Sequence, residues 1–167
     1  KRLKSSLKLQ KGEVIDATRM SVKSLCSFFE KEITDCFEKN LMMSLHMKAT
    51  MMKVSDPIIF GHCIKVYFKD VFAKYSQLFK ELGINANNGL GDIYDKIKGH
   101  AMEQEIKTDI TATYSKRPGL AMVNSSKGIT NLHVPSDVII EASMTATIRE
   151  SGEMWDAEGM THDNNNA

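Results

Sequence analysis

The chain has 167 residues, 42% of them hydrophobic and 26% charged, enough for one buried core and ordinary for a globular domain. Its 22 basic and 21 acidic residues leave a net charge of +1, which gives no electrostatic footprint for nucleic acid. No apolar run approaches membrane-spanning length. The basic opening KRLKSSLKLQK has no apolar core or cleavage site behind it, so it does not read as a secretory signal.

Three cysteines (Cys26, Cys36 and Cys63) form an odd set with no close pair, as expected for reduced thiols in a cytosol-like compartment or an organelle lumen of similar redox state. Eleven methionines are accounted for as adaptable core packing.

Residues 1–11 are polar and basic and are expected to be a loose end. Val14 and Ile15 suggest a short strand closed by Asp16. Ser21 is placed to cap a helix running to about Lys39, with Leu25, Phe28, Phe29, Ile33, Cys36 and Phe37 as its apolar stripe. Asn40 is its stop.

A strand is predicted over Leu41–Lys48, where Met43, Leu45 and Met47 alternate with Ser44, His46 and Lys48. Lys48 then stands near the strand's carboxyl end, the edge where open α/β sheets bind ligands. A lysine there is also, taken alone, an ordinary solvated side chain. Strand, helix, strand implies a right-handed crossover in a largely parallel sheet.

Ser55-Asp56-Pro57 opens the next helix, with either of the first two as its cap and Pro57 in the first turn. Helical spacing of Phe60, Ile64, Tyr67, Phe68, Val71, Phe72, Tyr75, Leu78, Phe79 and Leu82 carries it to a left-handed cap at Gly83.

Asn85–Asp92 (NANNGLGD) is a turn. It follows a helix and lacks the third glycine of a dinucleotide fingerprint. Helices over 93–97 and 101–115 follow, the second stopped by Arg117-Pro118. A short strand over 120–123 leads into the turn 124–128. Ser136 then opens a helix to about Glu150, on which Asp137 and Glu141 are four residues apart and share a face. Two such carboxylates can approach one divalent cation. An acid in a first helical turn also simply favours the helix dipole. The polar end from Glu153 to Ala167 is expected to be loose.

Two segments carry a family resemblance: HMKATMMKVSDPIIFG, from His46 to Gly61, and LAMVNSSKGITNLHVPSDVIIEASM, from Leu120 to Met144. With Asn87–Asp92 between them, they resemble the monomeric-type NADP-dependent isocitrate dehydrogenases in the same order. The likeness covers about Gly12 to Asp163. Those enzymes are several times longer, so the chain is expected to be an internal piece of one.

The resemblance implies a fold: α/β, with strands and amphipathic helices alternating in a largely parallel sheet flanked by helices. This would be part of an isocitrate/isopropylmalate dehydrogenase-like large domain, with residues 1–167 one domain or subdomain and 1–11 and 153–167 loose. It also implies oxidative decarboxylation of isocitrate to 2-oxoglutarate, with NADP and Mg²⁺ or Mn²⁺ as cofactors in a monomeric, cytoplasmic enzyme.

By position in the family segments, Lys48 would contact the substrate and take part in proton transfer, and Glu141 would be a metal ligand. The family pattern has aspartate where this chain has Glu141. Other substrate ligands precede this segment in the family. The remaining metal aspartates, the catalytic tyrosine and the main NADP-binding residues follow it, so no cofactor-binding residue is assigned here and the chain alone should not turn over. The alternative is a non-catalytic α/β binding or assembly module derived from that enzyme.

Overall fold

The computed structural model describes residues 5–16, 18–45, 54–133 and 153–163. Helix α1 spans Val22–Glu38, and the Ser21 hydroxyl accepts a hydrogen bond from the Ser24 amide at 3.3 Å, as its capping role requires. Phe29 and Ile33 form its buried face. Phe28 and Phe37 are instead 55% and 48% exposed. One residue turns a helix by about 100°, so Phe28 cannot share the direction of Phe29. Asn40 ends the helix with φ 53, and the Leu41 amide reaches back to the Cys36 carbonyl at 2.8 Å.

The single long helix expected after Pro57 is three shorter ones: α2 (Ser55–Tyr67), α3 (Lys69–Lys74) and α4 (Ser76–Glu81). The joints are Phe68 and Tyr75, where ψ is 33 and 20, well outside the helical value of about −42°. Their own amides still donate to the carbonyls four residues back, Phe68 to Ile64 at 2.9 Å and Tyr75 to Val71 at 3.0 Å. The apolar stripe therefore survives both bends. Phe60, Ile64, Tyr67, Phe68, Val71, Tyr75 and Phe79 are all buried. Gly83 closes α4 with φ 64, while the Ile84 amide donates to the Phe79 carbonyl at 2.8 Å.

The start of α2 also differs from expectation. Neither Ser55 nor Asp56 caps it; both lie inside its first turn, with Val54 at the cap position. Asp56 is buried there, where the positive end of the helix favours a carboxylate, and the Ser55 hydroxyl donates to it at 3.4 Å.

Helices α5 (Leu90–Ile97) and α6 (Glu103–Tyr114) complete the helical body. Ile93, Ile97, Ile106 and Ile110 join the same core as α2. The buried Tyr67 hydroxyl donates to the Pro118 carbonyl at 2.5 Å, which satisfies it without water. Ion pairs tie the outer surfaces together. Glu30 on α1 receives Lys69 at 2.6 Å and Arg117 at 3.2 Å. Burial pushes the Glu30 carboxyl up, but these two cations prevail and hold it below the usual glutamate range. Lys74 on α3 meets Glu105 at 2.9 Å and Asp109 at 2.7 Å on α6.

The β-structure is small and mostly antiparallel. Strand β1 (Met122–Asn124) pairs with β2 (Ile129–Thr130) across a turn closed by left-handed Gly128, φ 66. Strand β3 (Glu153–Trp155) pairs with β4 (Thr161–Asp163). The Asp156 carboxylate folds that hairpin's loop by accepting the Glu158 and Met160 amides at 3.0 and 2.8 Å.

Parallel pairing among the described residues is the bridge of Met43 to Leu120. Val14 and Ile15, expected in a strand, are exposed and unpaired in backbone ladders, with no neighbour among the described residues to bury them. The predicted strand over 41–48 is described as far as Leu45, and the predicted helix over 136–150 lies outside the described residues. Among the described residues, no helix is long and apolar enough to cross a membrane.

Candidate functional site

Lys48 and Glu141, the two residues singled out by the sequence, lie outside the described residues, as do His46 and Asp137. The described residues do include the backbone leading into each of them. Three stretches of chain lie side by side: 43–45, 119–121 and 131–133. The Met43 amide donates to the Gly119 carbonyl at 2.7 Å, and the Ala121 amide donates to the Met43 carbonyl at 2.9 Å. On its other side, Ala121 accepts the Asn131 amide at 2.8 Å.

The Asn131 side chain then reaches across to Leu45. Its Oδ1 accepts the Leu45 amide at 2.6 Å and its Nδ2 donates to the Leu45 carbonyl at 3.2 Å. Leu45 is three residues before Lys48, and Asn131 is ten before Glu141. The roots of the two motif segments are thus hydrogen-bonded to each other.

The glycine-rich turn supports the same place from the other side. The Leu90 amide donates to the Leu132 carbonyl at 3.1 Å and the Gly91 amide to the His133 carbonyl at 2.8 Å. These are the first amides of α5, which have no partner inside their own helix. Such external acceptors explain why α5 starts at Leu90 rather than at the expected Ile93.

A methyl group on Gly91 would meet the His133 carbonyl oxygen and Cδ2 at 3.1 Å, so a larger residue would push that backbone back by a few tenths of an ångström. Gly61 on α2 permits a tighter approach still, since a Cβ there would come within 2.9 Å of the Asn87 amide nitrogen. Asp92 ties the turn to itself by accepting the Asn85 amide at 2.7 Å and the Lys96 ammonium at 2.9 Å. Burial raises its carboxyl, but these donors hold it below the ordinary aspartate value.

This accounting also disposes of a phosphate cradle at NANNGLGD. The amides of Asn85 and of residues 87–92 all donate within the protein, so the turn offers no cluster of converging free amides to an anion. The turn is a structural cradle for the segment that leads to Glu141.

His133 is the last described residue before that segment. Its ring stacks on Tyr94, with centroids 5.5 Å apart and planes 19° from parallel. Burial pushes its imidazole down from the usual histidine range, so the neutral form is favoured. Its Nδ1 is buried with no hydrogen-bond partner among the described residues.

Sequence reasoning placed His133 at a helix opening and gave no role to Asn131, which lies within the Leu120–Met144 segment. An asparagine in a turn-rich stretch carries no signal of a partner 86 residues away. Among the described residues, no three His, Cys, Asp or Glu side chains could hold one metal ion. A shallow cleft of about 180 Å³ between α3 and α6 is lined by Lys74, Asp109, Lys116 and Arg117, and none of residues 43–45 or 131–133 borders it. Lys74, Asp109 and Arg117 are already engaged in ion pairs.

The comparisons with known proteins converge on one family. The family model described as monomeric isocitrate dehydrogenase matches residues 1–167. The chain is 55% identical over 163 residues to isocitrate dehydrogenase (NADP) 2 of Colwellia maris. It is 51% identical over 163 residues to isocitrate dehydrogenase (NADP) of Azotobacter vinelandii. The same identity over the same length is found with isocitrate dehydrogenase (NADP) 2 of Mycobacterium tuberculosis. Each match covers 96% of this chain but only 22% of the relative, so the chain spans about a fifth of the length of the proteins it matches.

Proposed function

Because the chain belongs to the monomeric isocitrate dehydrogenase family, we propose that it is a segment of an NADP-dependent enzyme that oxidises and decarboxylates isocitrate to 2-oxoglutarate. In this reading Lys48 contacts the substrate and moves a proton, and Glu141 is a metal ligand. The observation that carries it is the Leu45–Asn131 pair, which supports one common site for both segments.

The substrate's hydroxyl loses its proton to solvent as its carbon gives up a hydride, and the resulting β-keto acid loses carbon dioxide, leaving an enolate that must take up a proton. When bound, NADP accepts the hydride, and a divalent cation stabilises the negative charge that develops on the substrate oxygen. Lys48 Nζ supplies the proton that the enolate carbon takes up and is reprotonated from solvent. Such a lysine needs a pKa below its usual range, which burial and a neighbouring cation both favour. Glu141 offers hard carboxylate oxygen, with Asp137 one turn away on the predicted helix. That donor chemistry suits Mg²⁺ or Mn²⁺ in kind.

The parallel bridge of Met43 to Leu120 among the described residues is read as local rim of a larger, largely parallel sheet. The rest of the parent chain would complete it as the large domain of an isocitrate/isopropylmalate dehydrogenase-like fold. The parent is read as a monomeric cytoplasmic enzyme. Three free thiols agree with a reducing compartment, and burial pushes the Cys63 thiol up to about 12.

Two outcomes are expected. The purified chain alone should show no isocitrate-dependent reduction of NADP, because most substrate ligands, the nucleotide site and the other metal carboxylates are assigned to the rest of the parent. Magnesium-dependent turnover by the chain, free of host enzyme, would overturn this.

In the intact enzyme, Glu141→Gln should raise the Mg²⁺ concentration needed for half-activation, since it removes a formal charge from the metal's oxygen shell. Glu141→Asp should tighten Mg²⁺ activation or leave it unchanged. A titration in which Glu141→Gln behaves like the parent would make Glu141 an ordinary surface acid.

A further inference from the structure

We infer that Asn131 is a positioning residue for the proposed active site, holding the strand end that leads to Lys48 in register with the segment that leads to Glu141. The inference rests on the proposed function and adds a residue that the sequence motifs did not mark.

Its carboxamide satisfies both backbone groups of Leu45, at 2.6 Å to the amide and 3.2 Å to the carbonyl, in the way a neighbouring strand would. Among the described residues, the ladder with residues 119–121 engages the backbone of Met43, and at Leu45 the side chain of Asn131 plays the same part.

The amide is itself mounted firmly. Its backbone N–H is held by the Ala121 carbonyl at 2.8 Å, and the next two carbonyls, of Leu132 and His133, are held by the first amides of α5. Lys48 follows Leu45 by three residues, a reach of at most roughly 10 Å, so fixing Leu45 limits where Lys48 can lie. Misplacement of a reacting group by about 1 Å can cost about a hundredfold in rate.

Asparagine suits this task because one planar group carries a donor and an acceptor. Aspartate would keep the acceptor for the Leu45 amide but set a carboxylate against the Leu45 carbonyl. Leucine would leave both groups of Leu45 unpaired.

The test compares Asn131→Leu, Asn131→Asp and Lys48→Ala in the intact enzyme. It measures kcat, KM for isocitrate and for NADP, and hydrogen–deuterium exchange at the Leu45 amide and across α2 and α5. Asn131→Leu should lower kcat by about tenfold or more, with KM for NADP unchanged. Exchange should quicken at Leu45 and not in the cores of α2 and α5. Asn131→Asp should lose less kcat and keep part of the Leu45 protection.

Faster exchange at Leu45 with kcat intact would reduce Asn131 to a fold contact and overturn the proposal. Exchange rising throughout α2 and α5 together with the loss of kcat would overturn it as well, because the loss would then be one of general stability. Near-normal turnover by Lys48→Ala would overturn the underlying assignment of Lys48, and the positioning role with it. That outcome is separable from the others because it needs no Asn131 variant.

Discussion

Replacing Lys48 by alanine in the intact enzyme should lower kcat by at least about a hundredfold, the usual scale for a lost acid–base group. The expectation combines three observations. Lys48 lies in the segment HMKATMMKVSDPIIFG, three residues past a backbone position that is hydrogen-bonded on both its groups. The neighbouring chain stretch, 131–133, precedes the segment that carries Glu141, the proposed metal ligand. The proposed reaction would also require a proton at the carbon vacated by carbon dioxide. Lys48→Arg separates charge from proton transfer. It keeps a cation at the position, but a guanidinium does not give up its proton at working pH. It should be nearly as slow as the alanine variant. Steady-state kcat at saturating isocitrate, NADP and Mg²⁺ is the measurement, and near-normal turnover by Lys48→Ala would remove Lys48 from the mechanism.

Phe68→Ala should be the most damaging single truncation in the helical body, lowering the stability of the chain by about 3–5 kcal/mol. Phe68 is fully buried at the joint between α2 and α3. Its ring packs edge-on against Tyr114 of α6 at 5.8 Å and at a tilt against Tyr67 at 4.8 Å. Removing it leaves a void between two helices that meet at a bend, where the backbone has little freedom to close the gap. Phe28→Ala is the matched control. That ring is largely exposed on α1, and its loss should cost less than about 1 kcal/mol. Urea unfolding of the two variants beside the parent chain, followed by far-ultraviolet circular dichroism, distinguishes them. Equal midpoints for both would show that the joint is not a packing centre.

The helices were the legible part of the sequence, because their signals are local. Ser21, Asn40 and Gly83 each do at their helix ends what their side chains or backbone freedom dictate. The apolar spacing from Phe60 to Leu82 marked a continuous buried stripe correctly but could not show that the backbone bends twice beneath it. Both bends keep hydrogen bonds to the carbonyl four residues back, so the periodicity is undisturbed.

Strand pairing was much less legible. Alternation at 41–45 indicates an extended segment but names no partner, and the pairings of Met43 with Leu120 and of Leu45 with Asn131 depend on the path of everything between them. The candidate site divides along the same line. Lys48 and Glu141 stood out through family motifs, whereas Asn131, Gly91 and His133 acquire their roles only through three-dimensional neighbours. The glycines of NANNGLGD were conspicuous in sequence; Gly91 serves a close approach to the His133 backbone, and Gly89 a positive φ of 92.

The closure between Leu45 and Asn131 also bears on how the chain comes to be folded. The pair encloses a loop in which helices α2 to α6 and the β1–β2 hairpin all lie, with a sequence separation of 86. A helix can form on the microsecond scale or faster from contacts within a few residues, whereas a closure this distant must meet the entropy of the whole intervening loop. Once the helices have shortened that loop by packing on one another, the closing cost falls, and the pair is left as a late event. During synthesis from the N-terminus, Leu45 leaves the ribosome long before its acceptor and donor exist, and it waits through the assembly of the entire helical body. The Leu45–Asn131 contact is therefore expected to close after the helices it spans, so a chain can hold much of its described helix before that contact exists.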